Sequence, residues 1–172
     1  SVHREEYIVI EANLLSLMIS VNAMAEKYDM PILYSCHPRS QKIIEKRGFV
    51  FDKRVIRHQP LGFHDYNHLQ QNAYCVVSDS GTIPEEAAYF RFPAVSIRTS
   101  TERPEAMDKG VFVIGCISTE QVLQAVELAV QMFANEDLPI CVPAYNDINV
   151  ATKVVKLIQS YTGIVNKMVW RK

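Results

Sequence analysis

The sequence is poor in the signals that most readily betray a function. No apolar run in its 172 residues approaches the ~20 needed to span a bilayer, so no transmembrane helix is expected. The formal net charge is −1, which leaves no bulk basic field to attract nucleic acid or an anionic membrane surface. The cysteines, Cys36, Cys75, Cys116 and Cys141, are scattered with no C-x-x-C pair, a spacing that argues against a zinc or redox centre. Cys36, Cys75 and Cys116 lie in or beside apolar runs, where a thiol behaves as a small hydrophobe. Buried, reduced thiols are the expectation. The first residues carry no signal-peptide apolar core and no initiator Met, so a fragment or excised domain of a cytoplasmic protein is expected. There is no repeat, low-complexity run or flexible linker. What remains is 48% hydrophobic and 22% charged, ordinary for a globular chain long enough to bury one substantial core.

Apolar residues at helical spacing (Leu14, Leu17, Met18, Val21, Met24, Ala25) predict a helix over 10–28. A short buried strand over 31–36 leads into Pro38, which suits the first turn of a helix running to Arg47 and stopped by Gly48. Further strands are expected at 55–58, 74–77, 94–97 and 111–114, and further helices at 64–72, 83–90 and 104–108. Ser118 caps a long amphipathic helix to about residue 133, with Glu120 supporting its first turn. Pro139 and Pro143 break the chain before a final helix at 149–161. Strands alternating with helices imply an α/β, Rossmann-like parallel sheet with helices on both faces. Such sheets bind ligands at the carboxyl ends of their strands. The polar clusters at 37–39, 59–62, 78–81 and 98–103 all fall there.

Residues 74–105 carry the most information. A strand stops at Ser78-Asp79-Ser80-Gly81 and a helix with two consecutive acids, Glu85 and Glu86, follows at once. Ser80 and Gly81 sit where phosphate oxygens meet unpaired helix-start amides, and Gly81 permits close backbone approach. Equally, Thr82 and Glu85 have capping-box spacing, so the turn can simply cap its own helix. Spacing alone leaves both readings open, and Pro84 withholds one N–H in either. Glu86 lies four residues after Thr82, on the same face and pointing back toward the helix start. Its carboxylate can accept two hydrogen bonds from a sugar diol, or merely complement the helix dipole; Glu85 is the better cap. Strand, turn, helix and acid together read as a nucleotide-sugar site. Arg103, in Thr101-Glu102-Arg103-Pro104-Glu105, suits bidentate anion binding, although a loop arginine between acids also makes surface ion pairs. Arg98, just after a strand, is a secondary candidate. His64 and His68 have i, i+4 spacing but no H-E-x-x-H and no third ligand, so solvated histidines and no metal are expected. The loop at 59–62 with Phe63 offers backbone groups and an aromatic ring to a base.

Five runs occur in order: S-V-H-R-E-E at 1–6, S-C-H-P-R at 35–39, Q-P-L-G-F at 59–63, S-D-S-G-T-I-P-E-E-A at 78–87 and T-E-R-P-E at 101–105. Together they resemble the C-terminal half of the non-hydrolysing UDP-N-acetylglucosamine 2-epimerase family, over nearly the whole chain. The resemblance implies a two-domain enzyme of the glycosyltransferase-B type, each half Rossmann-like, with substrate between the halves. Residues 1–172 form its UDP-binding half on this reading, and the final helix at 149–161 packs toward the N-terminal half, which carries the catalytic carboxylates. A strand runs directly into the family's His-Arg motif, and only Ser1 and Val2 remain of it here, so a central strand is expected to be lacking.

The resemblance also implies roles. Ser80, Gly81, Arg103 and Arg4 face the phosphates, Glu86 the ribose and Phe63 the uracil. His3 lies near the reacting sugar, where it can donate to the departing oxygen or stabilise its charge. His37 and Arg39 belong to a second, activating UDP-sugar site. Thr82 and Pro84 depart from the Gly and Gln common in the family. The implied chemistry removes the sugar C2 proton as UDP leaves C1, then re-adds both with C2 inverted, taking UDP-GlcNAc to UDP-ManNAc without NAD or metal. The variant S-D-S-G-T-I-x-E-E with P-L-G-F-x-D-Y resembles the branch forming UDP-N-acetyl-L-fucosamine for bacterial capsules. A glycosyltransferase-B glycosyltransferase is the other enzymatic alternative, against which T-E-R-P-E and the opening H-R-E-E speak; a stand-alone nucleotide-sugar-binding module is the non-enzymatic one. The expected partners are a UDP-sugar, the N-terminal half and a second copy in a homodimer, with neither nucleic acid nor membrane, in the cytoplasm.

Overall fold

The computed structural model describes residues 11–36, 38–135 and 142–172. His3, Arg4, His37 and Cys141, with the strand expected ahead of His3, lie outside the described residues; Arg39 is described only as a helical position. The chain divides into two units, one reaching Val142 and one comprising Pro143–Lys172.

The first unit alternates helix and strand: α1 (Glu11–Tyr28), β1 (Ile32–Ser35), α2 (Pro38–Arg47), β2 (Val55–His58), α3 (Phe63–Gln71), β3 (Val76–Ser78), α4 (Ile83–Phe90), β4 (Ala94–Ser96), α5 (Pro104–Asp108), β5 (Val113–Ile114) and α6 (Thr119–Ala134). Local chemistry sets many of these bounds. Pro38 and Pro104 open helices where a missing N–H costs nothing. Gly48 ends α2 at φ +62°, and the Phe49 N–H turns back to the Ile44 carbonyl. The Ser118 hydroxyl accepts from the Gln121 N–H and caps α6.

Every recorded strand pair is parallel, as the alternation predicts. The described strands form two ladders, β1–β2 and β3–β4–β5. No described strand joins β1 to β3; α1 spans the two ladders instead. Its Leu17, Val21 and Met24 pack with Val95, Ile97 and Val122, Ala125, Val126 and Ala129 of α6. Its Leu14 and Met18 pack with Tyr34, Cys36 and Ile44. Burying a side chain of this size contributes about 1.5–3 kcal/mol, so among the described residues α1 ties the two ladders together. The Ser20 and Thr119 hydroxyls, 3.1 Å apart, and the Lys27–Glu127 ion pair also join α1 to α6.

The expectation of helices on both faces holds for β4, whose three residues are all buried. On β1–β2 the register partners Leu33 and Ile56 are both about half exposed among the described residues. Cys36 is buried, while Cys75 and Cys116 are only half-buried and form no disulfide among the described residues.

The second unit holds a single 3-10 turn (Pro143–Tyr145) and α7 (Val150–Met168). The apolar period of α7 continues through Ile164, Val165 and Met168, so the helix outruns the expected end at residue 161 by about two turns. No residue of α7 is buried. No described helix is long and apolar enough to cross a membrane.

Candidate functional site

Parallel pairing brings two chain turns together. Ser78, Ser96 and Ile114 are level across the second ladder, so the loops 79–82 and 97–103 leave neighbouring strand ends on the same side. A ligand at the carboxyl edge of this ladder meets both.

The first loop is built from short hydroxyl contacts. The Ser80 N–H donates to Ser78 Oγ (3.1 Å) and the Thr82 N–H to Ser80 Oγ (3.3 Å). Pro84 has no N–H, and the Gly81 N–H makes no hydrogen bond among the described residues. The turn therefore keeps a glycine amide available at the positive end of α4. Beneath it lies Arg98, 6% exposed. Its Nε donates to the Asp79 carbonyl (2.8 Å) and its Nη1 to Glu102 Oε2 (2.6 Å). Nη2 stands 3.5 Å from where a Cβ on Gly81 would lie. A buried guanidinium thus braces the turn and adds positive charge where an anion would arrive. From the sequence Arg98 ranks behind Arg103; its place directly after the buried, mostly apolar run 94–97 was the available signal.

The capping expectation is corrected. Thr82 precedes α4 with φ −93° and ψ −4° and makes no side-chain cap bond. The extended conformation that lets an N-cap hydroxyl reach back to the third amide is absent, because the hydroxyl network of the loop holds Thr82 near helical angles. Glu85 does not cap either: its Oε1 accepts from Arg103 Nε at 2.5 Å, across the two loops. Its Oε2 is buried without a hydrogen-bond partner. Arg103 is further placed by its Nη1, which donates to the Glu102 carbonyl, and by its N–H, which donates to Thr101 Oγ1.

Glu86 is held on both oxygens. Thr82 Oγ1 donates to Oε1 (2.7 Å), and Gln70 Nε2, from α3, donates to Oε2 (2.6 Å). Nothing in the sequence reading singled out Gln70. The available signal was an amide among the inward positions of α3, where Asn67 and Gln70 are both buried. Tyr66, on the same helix, has its pKa raised by burial and then by the charge of Glu86.

The structure thus gathers Ser80, Gly81, Glu86, Arg103 and Arg98 on one strand edge. Phe63 opens α3, strongly exposed, with its ring edge-on to His64 (centroids 5.6 Å). His3, Arg4 and His37 lie outside the described residues, and the Arg39 side chain is not described. Among the described residues no cluster of three His, Cys, Asp or Glu could hold a metal ion.

A glycine-bearing turn and a cationic brace at a helix start suit an anion, and a doubly held carboxylate stands one turn into the same helix. A profile of the UDP-N-acetylglucosamine 2-epimerase family matches residues 1–159. The chain belongs to that family. Among UDP-N-acetylglucosamine 2-epimerases, the enzyme of Methanocaldococcus jannaschii is 29% identical over 133 residues, covering 74% of this chain and 36% of its own. That of Methanococcus maripaludis is 31% identical over 132 residues, with the same coverages of 74% and 36%. The chain therefore spans about a third of the length of these curated relatives. Among solved structures, the UDP-N-acetylglucosamine 2-epimerase of Rickettsia bellii is 34% identical and covers the whole of this chain and 46% of its own, with TM-score 0.79. The Methanocaldococcus jannaschii UDP-GlcNAc 2-epimerase, solved in complex with UDP-GlcNAc and UDP, is 28% identical over 75% of this chain and 37% of its own, with TM-score 0.69. The α/β fold with parallel strands agrees with these 2-epimerases, and the chain corresponds to their C-terminal half.

Proposed function

We propose that residues 1–172 are the UDP-binding domain of a UDP-N-acetylhexosamine 2-epimerase that converts UDP-GlcNAc to UDP-ManNAc. The observation that carries this reading is Glu86, held by Gln70 and Thr82 one turn inside α4, beside the Gly81 amide and the Arg98 guanidinium. A carboxylate one helical turn inside a helix whose start can receive an anion suits a ribose joined to a pyrophosphate. The UDP-GlcNAc and UDP complex of the Methanocaldococcus jannaschii relative supports the same ligand class.

In this proposal Glu86 accepts the ribose hydroxyls and Phe63 flanks the uracil. The Ser80–Gly81 turn receives the pyrophosphate, and Arg103, aligned by Glu85, reaches the same phosphates. His3 and Arg4 act near the reacting C1–O bond, and His37 and Arg39 toward a second UDP-sugar. A base from an N-terminal half takes the C2 proton as the C1–O bond breaks, leaving a C1=C2 double bond and UDP. Return of a proton to the opposite face of C2 and of UDP to C1 completes inversion. Holding UDP while negative charge develops on it is the share of this chain. The apolar stripe of α7, with Val154, Leu157, Ile158, Tyr161 and Ile164 all exposed, packs toward the N-terminal half, and the two-domain enzyme works in the cytoplasm as a homodimer.

Proton NMR of the two-domain protein with UDP-GlcNAc in D2O tests the reaction. C2 inversion with deuterium entering at C2 is expected. Turnover of only 6-deoxy-L UDP-sugars would move the substrate to the fucosamine-forming branch. Transfer of the sugar to an acceptor with C2 unchanged would refute epimerisation.

A further inference from the structure

A second layer of the site lies on α3. Gln70 is 3% exposed, and its amide donates to Glu86 Oε2 at 2.6 Å, while its own Oε1 is buried with no hydrogen-bond partner. A buried amide oxygen left unmet costs stability, and an apolar side chain of similar volume would avoid that cost. The fold therefore retains at this position a residue that core packing alone does not favour. From the other side Thr82 Oγ1 donates to Glu86 Oε1 at 2.7 Å and is itself 2.9 Å from Ser80 Oγ.

Each carboxylate oxygen has room for two acceptor interactions. Gln70 and Thr82 occupy one on each oxygen of Glu86, and the remaining directions suit the two donors of a cis-diol. A side chain with three rotatable bonds is reduced to one orientation before the ligand arrives, which lowers the ordering cost of binding. We propose that Gln70 and Thr82 are positioning residues that pre-orient the Glu86 carboxylate for a ribose diol. The inference rests on the ribose reading of Glu86, and its prediction is selective: the two residues strengthen only that part of UDP binding which depends on the 2′- and 3′-hydroxyls.

The test is calorimetric titration of the two-domain protein with UDP and with 2′,3′-dideoxy-UDP, alongside thermal melting. Gln70→Leu and Thr82→Val should each weaken UDP by about three- to tenfold, within what one hydrogen bond to a charged group is worth. Both should leave dideoxy-UDP within about twofold, since nothing remains for Glu86 to hold. Thr82→Ser should restore UDP binding. Gln70→Leu removes an unmet buried oxygen but also the amide that meets Glu86 and Tyr66, so the melting temperature should move by only a few degrees, about 4 °C or less. In the Glu86→Gln background Gln70→Leu should add no further loss of UDP. Equal weakening of both nucleotides by Gln70→Leu and Thr82→Val, or no weakening of UDP while Glu86→Gln does weaken it, would overturn the positioning role alone. Unchanged UDP binding by Glu86→Gln would instead overturn the ribose reading beneath it.

Discussion

Replacing Gly81 by alanine separates anion binding from folding. The φ of Gly81 is not in the left-handed region, so alanine can adopt the same backbone. The new Cβ would meet only Arg98 Nη2, at 3.5 Å, an ordinary contact. Stability should therefore be unchanged or raised by up to about 1 kcal/mol, as the unfolded chain loses freedom. Binding is another matter. The methyl projects from the turn beside the amide and guanidinium proposed to receive a phosphate oxygen, which needs a donor within about 2.7–2.9 Å. Losing one such charge-assisted bond costs about 1.5–3 kcal/mol, or roughly 10- to 150-fold in UDP affinity. Uridine has no phosphate and should bind as before. Titration with UDP and uridine, beside a thermal melt, reads both effects. Equal losses for UDP and uridine, or unchanged UDP affinity, would refute the phosphate assignment of the turn.

Gly115 should behave in the opposite way. Its Cβ would lie 2.8 Å from Val95 Cγ1 and 3.2 Å from Ala125 Cβ, where α6 presses on β4. Gly115→Ala should thus cost about 1–3 kcal/mol by overpacking, seen as a melting temperature roughly 2–12 °C lower, and an unchanged melt would show that α6 can yield. Glu85→Gln should change stability by less than about 1 kcal/mol, since its ion pair with Arg103 is about one-third exposed on both sides. It should nevertheless weaken UDP severalfold by releasing Arg103, and Arg103→Lys in that background should add little; additive losses in the double variant would show that the two residues act independently.

Much of this fold is legible along the chain because its signals are local. Pro38, Pro104, Gly48 and the Ser118 cap fix helix ends through bonds within a few residues, so α2, α4 and α5 fall at their expected positions. Parallel pairing followed from alternation, since consecutive parallel strands need a crossover between them. The ordered motifs also placed Ser80, Gly81, Glu86 and Arg103 together. Which strands pair with which was not legible from spacing, because backbone pairing between sequence-distant strands leaves no periodic trace. The chain's own spacing misassigned Glu85, for T-x-x-E specifies a cap only when the first residue is extended, and the loop's hydroxyl network holds Thr82 otherwise. Its partner, Arg103, stands 18 residues away on the next strand's loop. Gln70 lies 16 residues from Glu86, and Arg98 lies 19 from Asp79. Residue type and spacing determined which chemistry the chain carries. The stacking of parallel strands decided which of those groups meet, because only packing brings distant side chains within hydrogen-bond reach.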